Sequence, residues 1–121
     1  MLKGFILSES LKNPILLNVF AKIYVRVEEH PESPSSPYWH LFKVEVGEEE
    51  IERTLQGISH EIKEGWYAHF WNADTVYVIY SEKVFRLPRE RKWESEKYLQ
   101  AKQYGMEHGV EEKYLDFWIE E

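Results

Sequence analysis

Between residues 65 and 87 the apolar positions gather into three short runs. Trp66-Tyr67-Ala68-His69-Phe70-Trp71, Thr75-Val76-Tyr77-Val78-Ile79-Tyr80 and Val84-Phe85-Arg86-Leu87 are rich in aromatic and β-branched residues, and the triplets Asn72-Ala73-Asp74 and Ser81-Glu82-Lys83 divide them. That spacing predicts an antiparallel meander. With Ala73-Asp74 and Glu82-Lys83 as two-residue loops, Trp71 faces Val76, His69 faces Val78 and Tyr67 faces Tyr80. Phe85 then lies beside Tyr80, and Leu87 beside Val78. One face carries Tyr67, His69, Trp71, Val76, Val78, Tyr80, Phe85 and Leu87. The other carries Trp66, Ala68, Phe70, Tyr77, Ile79, Val84 and Arg86. A sheet with one wet side alternates apolar and polar residues; here neither face is polar. Two helices packed together cover one face, so the other calls for the C-terminal tail, a second subunit or a ligand.

The remaining pattern supplies those elements. Leu2–Leu7 reads as a strand, and Asn13 before Pro14 reads as an N-cap with proline at the first position of a helical turn over 14–18. From Phe20 the period is two: Ile23, Val25 and Val27 share a face, and Lys22, Tyr24, Arg26 and Glu28 form the wet side. Three Pro and three Ser within 30–37 make a loop, and Tyr38–Val46 is a strand again, so the two strands predict a hairpin. Ile51, Leu55, Ile58 and Ile62 recur at helical spacing over 48–63. Glu48, Glu49 and Glu50 load the dipole's positive end, and Gly65 supplies a left-handed stop. A second helix over 94–108 ends at Gly109. Gly105 inside it costs about 1 kcal/mol relative to Ala, which predicts an interruption or a closely packed neighbour. The tail Tyr114-Leu115-Asp116-Phe117-Trp118-Ile119 is too apolar to dangle, and should dock on the core or a partner. The expectation is a single α+β domain over 1–121: a mainly antiparallel sheet of five or six strands with two main helices on one face, in the order βββαβββα.

Composition narrows the function classes. A net charge of −7 over 121 residues opposes nonspecific nucleic-acid binding and anionic membrane surfaces. No apolar run approaches the roughly 20 residues that span a bilayer. The absence of Cys removes disulfides, zinc ribbons and thiol chemistry, and makes the cytoplasm the default location. Abundant Glu, Lys and Tyr with scarce Asn, Gln and Thr is a bias that fits a thermophile.

Candidate chemistry is sparse. His69, among rings, is either a core histidine bonded to a carbonyl or a Tyr hydroxyl, or a base or donor at the floor of an aromatic pocket with His40, Tyr67 and Trp71. His40 and His69 with Asp74 would suggest a metal only if the sheet gathered them; no metal or cofactor is expected. His60 to Glu64 resembles a zincin helix superficially, but Glu64 stands where the second His belongs, so His60 and Glu64 read as a solvated pair. Arg86, Arg89, Arg91 and Lys92 near Trp93 either balance local acids or contact a small anionic ligand.

Two stretches, Glu61-Ile62-Lys63-Glu64-Gly65-Trp66-Tyr67-Ala68-His69-Phe70 followed by Val76-Tyr77-Val78-Ile79-Tyr80, and Tyr104-Gly105 with Gly109-Val110 and Leu115-Asp116-Phe117, resemble a set of small prokaryotic proteins of unknown function. The resemblance covers the second half of the chain and implies no catalytic role. The functional expectation is a non-enzymatic interaction domain, a homodimer through an aromatic sheet face anchored by Trp66, Phe70 and Tyr77 with Arg86 among them. The alternative is a small-molecule-binding domain or hydrolase built around His69.

Overall fold

The computed structural model describes residues 1–33, 35–90 and 95–120. The chain forms a six-stranded sheet in which every neighbouring pair is antiparallel. Its strands are β1 (Leu2–Leu7), β2 (Ala21–Glu29), β3 (Tyr38–Val46), β4 (Ala68–Trp71), β5 (Thr75–Tyr80) and β6 (Lys83–Pro88), in the spatial order β2-β3-β1-β4-β5-β6. Two helices, α1 (Ile51–Glu61) and α2 (Glu96–Glu107), complete the α+β fold in the predicted order. The two halves differ in connection: β4, β5 and β6 pair in sequence, whereas β1 pairs with β3, leaving β2 at the edge.

The caps act as their residues dictate. The Asn13 side chain accepts from the Ile15 N–H to open a short helical stretch, Pro14–Val19, and Ser95 caps α2 by accepting from the Lys97 N–H. Gly65 and Gly109 follow the helices with φ of 89° and 95°, the left-handed geometry that a Cβ penalises. Gly105 does not interrupt α2. A Cβ there would lie 2.6 Å from the Tyr80 hydroxyl and 3.0 Å from Leu115, so the missing side chain is what lets α2 approach the sheet.

The helices lie on opposite faces, against the expectation that both share one. On one side Leu55 and Ile58 of α1, with Ile62, pack against Leu2, Ile6, Val44, Phe70 and Ile79. On the other, Tyr98 and Ala101 of α2, with Val110, Leu115 and Phe117 of the tail, pack against Phe5, Trp71, Val78, Tyr80 and Leu87. The reason lies in the meander: with both faces apolar, stacking two helices on one would leave the other in water, at about 25 cal/mol per Å² of apolar surface. One helix per face removes that cost.

The face assignments of the meander follow the sequence pattern, but one turn differs. Asn72 meets Thr75 across Ala73-Asp74 as expected, while the second loop is Ser81-Glu82, with Tyr80 opposite Lys83. Phe85 therefore lies opposite Val78, and Leu87 opposite Val76. The displacement is two residues, so no side chain changes face. Glu82 takes φ of 59° there, and its N–H donates to the Ser59 carbonyl of α1 at 3.0 Å, which ties the turn to the helix end.

β2 is inverted relative to its pattern. Tyr24, opposite Lys43, and Arg26, opposite Leu41, lie on the tail-covered side of the sheet, while the apolar row points to solvent. Ile23, Val25 and Val27 are 45%, 53% and 58% exposed because α1 does not reach the edge strand.

Candidate functional site

The tail after α2 crosses the sheet with no strand partner, so its backbone acceptors need side-chain donors. Tyr67 donates to the Tyr114 carbonyl, His69 Nε2 to the Trp118 carbonyl at 2.7 Å, and the Lys43 ammonium to the Glu120 carbonyl at 3.0 Å. A carbonyl only accepts, so the Nε2 of His69 carries the proton. Lys43, almost fully buried, also meets the Glu120 carboxylate at 2.9 Å, and Tyr24 donates to the same carboxylate at 2.8 Å. Hydrogen bonds from Lys43 and then Tyr24 hold the Glu120 carboxyl below the usual range. Burial raises the Tyr67 phenol far above its ordinary value, so it stays a neutral donor. Phe117 adopts φ of 48°, unfavourable for a residue with a Cβ, and its fully buried ring holds the bend in place.

Where the tail leaves the sheet and β2–β3 has not yet met it, a cleft of about 420 Å³ remains. Phe5, Leu7, Leu41 and His69 form its floor, and Arg26, Glu28, Glu32 and Ser33 form one wall. Glu111, Lys113, Tyr114, Asp116 and Trp118 form the other, with Trp39, Trp66 and Tyr67 at the end. The volume falls in the range of small-ligand sites. Trp39 lies 5.3 Å from Trp66 and 5.2 Å from Tyr114 between ring centres, and Phe5 lies 4.7 Å from Trp118. His30 stacks on Trp39 at 3.6 Å, with Nε2 3.2 Å from Glu28 and Nδ1 3.0 Å from Glu32. Hydrogen bonds from its own backbone N–H, then from His30 and the Tyr114 hydroxyl, pull the Glu32 carboxyl down to about 2. Among the described residues, the Trp39 indole N–H is the buried side-chain polar group without a hydrogen-bond partner. Such a group costs about 1–3 kcal/mol to leave unsatisfied, and its residue is one of those lining the cleft.

The residues singled out from the sequence divide between this cleft and other places. Tyr67, His69 and Trp66 line it. Trp71 is buried beside Phe5 and His69 beneath the tail-side cover. His40 lies on the face opposite His69, since it shares the row of Phe42 and Val44, whereas Lys43, Phe5 and His69 align on the tail side. It is exposed and bonds Glu9 through Nδ1 at 2.7 Å. The grouping of His40 with His69 is therefore not formed. Burial would raise Glu9, but hydrogen bonds from the His40 backbone and ring, with Ser8, outweigh it and hold the carboxyl below its ordinary value.

Phe70 and Tyr77 are buried under α1 and present no surface for a partner. Arg86 reaches α1 instead, donating to both Glu52 oxygens at 2.8 and 2.9 Å above the Tyr77 ring. Arg89 donates to the Asn72 carbonyl at 2.9 Å; Arg91, Lys92 and Trp93 lie outside the described residues. His60 meets Glu82 at 3.3 Å, and Glu64 meets His108 at 2.6 Å, so the supposed His60–Glu64 pair is two separate contacts. Among the described residues no three His, Asp or Glu side chains are gathered as a metal site.

No family model, curated protein or solved structure matches the chain. The cleft is thus read from its own residues. Trp39, Leu41, Tyr114 and Trp118 are among the lining residues that sequence reasoning did not assign to a site. Their signal was present in two places: Trp39 and Leu41 on one row of Tyr38–Val46, and a tail with three rings in five residues.

Proposed function

We propose that this protein is a non-enzymatic, cytoplasmic binding domain for a small organic molecule bearing a planar ring and a hydrogen-bond acceptor, held in the cleft between the tail and the β2–β3 hairpin. The observation that carries the reading is the Trp39 indole N–H, buried and unpartnered in a ring-lined cleft of about 420 Å³. An acceptor on the ligand meets that N–H, and Trp66, Tyr67, Tyr114 and Trp118 offer faces and edges for the ring. His69 serves the site by fastening the tail, its Nε2 donating to the Trp118 carbonyl at 2.7 Å. Arg86 and Arg89 are engaged with Glu52 and Asn72, which makes the cleft the better candidate than an anion site beside them.

Quinoline and benzamide are suitable first probes, followed by tryptophan fluorescence. Saturable quenching of the native chain is expected, weakened about tenfold, or about 1.4 kcal/mol, by Trp39→Phe, which keeps the ring and removes the donor. Absence of saturable binding by any ring-bearing acceptor, or equal affinity in Trp39→Phe, overturns the reading. Self-association belongs to the proposal too, but not through Phe70 and Tyr77, which are committed to α1.

A further inference from the structure

The outer edge of the sheet is a surface that the chain's own elements leave uncovered. β2 is nine residues long and, among the described residues, pairs only with β3, so one row of its backbone N–H and C=O groups has no strand neighbour there. Its apolar row, Ile23, Val25 and Val27, is about half exposed, and Tyr38 at the adjoining end of β3 is 55% exposed. A long, apolar edge strand is a template for another strand. Of the devices against such pairing, the bulge falls at Ile23, near the start of the strand, and Lys22, Arg26, Glu28 and Glu29 set charges of both signs along it, while residues 24–29 keep regular register with β3.

We infer that β2 pairs antiparallel with β2 of a second copy about a two-fold axis at Val25, joining two six-stranded sheets into one. The apolar row lies on the face of β2 away from the cleft, while Arg26 borders both. The register follows from what each alternative sets side by side. An axis at Arg26 places two guanidinium groups opposite each other, which is repulsive. An axis at Val27 sets each Glu29 opposite the partner's Val25, and so puts a carboxylate against an apolar surface. An axis at Val25 sets Val25 opposite itself and Ile23 opposite the partner's Val27, which gathers six apolar side chains on one face. On the other face it sets Arg26 opposite the partner's Tyr24. The Tyr24 hydroxyl is held by the Glu120 carboxylate at 2.8 Å, so each guanidinium meets a ring backed by a negative charge. The contact is isologous and closes after two copies.

The natural absence of cysteine makes the register directly testable. Sedimentation of the native chain from micromolar to submillimolar concentration is expected to show a monomer–dimer equilibrium, weakened at least about tenfold by Val25→Lys, which opposes two ammonium groups on the axis. Under mild oxidation, Val25→Cys alone is expected to form a disulfide dimer, because directly opposite residues lie about 4.5–5.5 Å apart at Cα. Ile23→Cys and Val27→Cys are each expected to cross-link poorly alone and readily when mixed. All three positions are well exposed, and circular dichroism checks that each of the four variants folds. A native chain that stays monomeric throughout overturns the inference, as does a dimer unaffected by Val25→Lys. Faster self-cross-linking of Val27→Cys than of Val25→Cys overturns the register and the apolar pairing behind it.

Discussion

The β4–β6 meander and the β2–β3 hairpin belong to one sheet yet live in different surroundings. The β4 and β5 strands of the meander are enclosed, with α1 on one face and α2 plus the tail on the other: Phe70, Val76, Val78 and Ile79 show no exposure, while β6 forms the sheet's other edge and is partly exposed. The outer strand of the hairpin extends past α1, while the tail reaches its other side through Glu120. Its apolar row faces water on the α1 side, and its other side forms one wall of the cleft. Both regions are apolar in sequence, so hydrophobicity alone does not tell core from interface; what decides is how far the chain's own helices and tail reach.

The largest effects should come from the enclosed region. Phe70→Ala and Phe117→Ala, one under each cover, should each cost about 3–5 kcal/mol in denaturant unfolding. The loss for Phe70→Ala should not change with protein concentration. A concentration-dependent loss would mean that a second copy, rather than α1, covers that face. Gly105→Ala should be destabilising by about 1–3 kcal/mol despite the gain in helix propensity, because the new methyl meets the Tyr80 hydroxyl and Leu115. A stabilised variant would show that α2 sits farther from the sheet.

His69→Phe keeps a ring and loses the donor to the Trp118 carbonyl, at a cost of about 1–2 kcal/mol expected mainly as loosening of the tail. Unchanged protease susceptibility of the tail would dismiss that bond as a fastener.

Acid provides a gentler comparison. Glu32 and Glu120 have folded-state carboxyl pKa values below their unfolded ones, Glu32 at about 2. Their contribution is therefore present above the ordinary carboxylate value of roughly 4.3 and fades as pH falls toward 2. Tail and loop contacts should loosen in that window, seen as a tryptophan fluorescence change preceding loss of the sheet signal. Simultaneous loss of both signals would contradict separate anchoring. The smallest effect belongs to the open row: Val27→Thr should alter monomer stability by no more than about 0.5 kcal/mol.

Much of the enclosed region was legible in the sequence. Alternation assigned every meander residue to its face, and even the misplaced second turn preserved them, because moving the loop by one residue, from Glu82-Lys83 to Ser81-Glu82, shifts the cross-strand pairing by two. Helix placement was not legible, since periodicity reports which side of a helix is apolar and not which face of a sheet it meets. The inversion of β2 was hidden for the same reason: Ile23, Val25 and Val27 look like an inward row, and only the reach of α1 leaves them outside. The cleft was half visible. His69, Tyr67 and Trp66 stood out locally, whereas Trp39, Tyr114 and Trp118 join them only through pairing of β1 with both β3 and β4 and through the path of the tail.

The central claim is that this chain seals its own meander and leaves the β2–β3 hairpin to meet other molecules. Amide hydrogen exchange, followed residue by residue at low and high protein concentration, tests it most directly. β4 and β5 amides should exchange only through global unfolding, at rates independent of concentration, while outward β2 amides should exchange fast when dilute and gain protection when concentrated. Protection of β4 and β5 that rises with concentration, with β2 unchanged, would contradict the account.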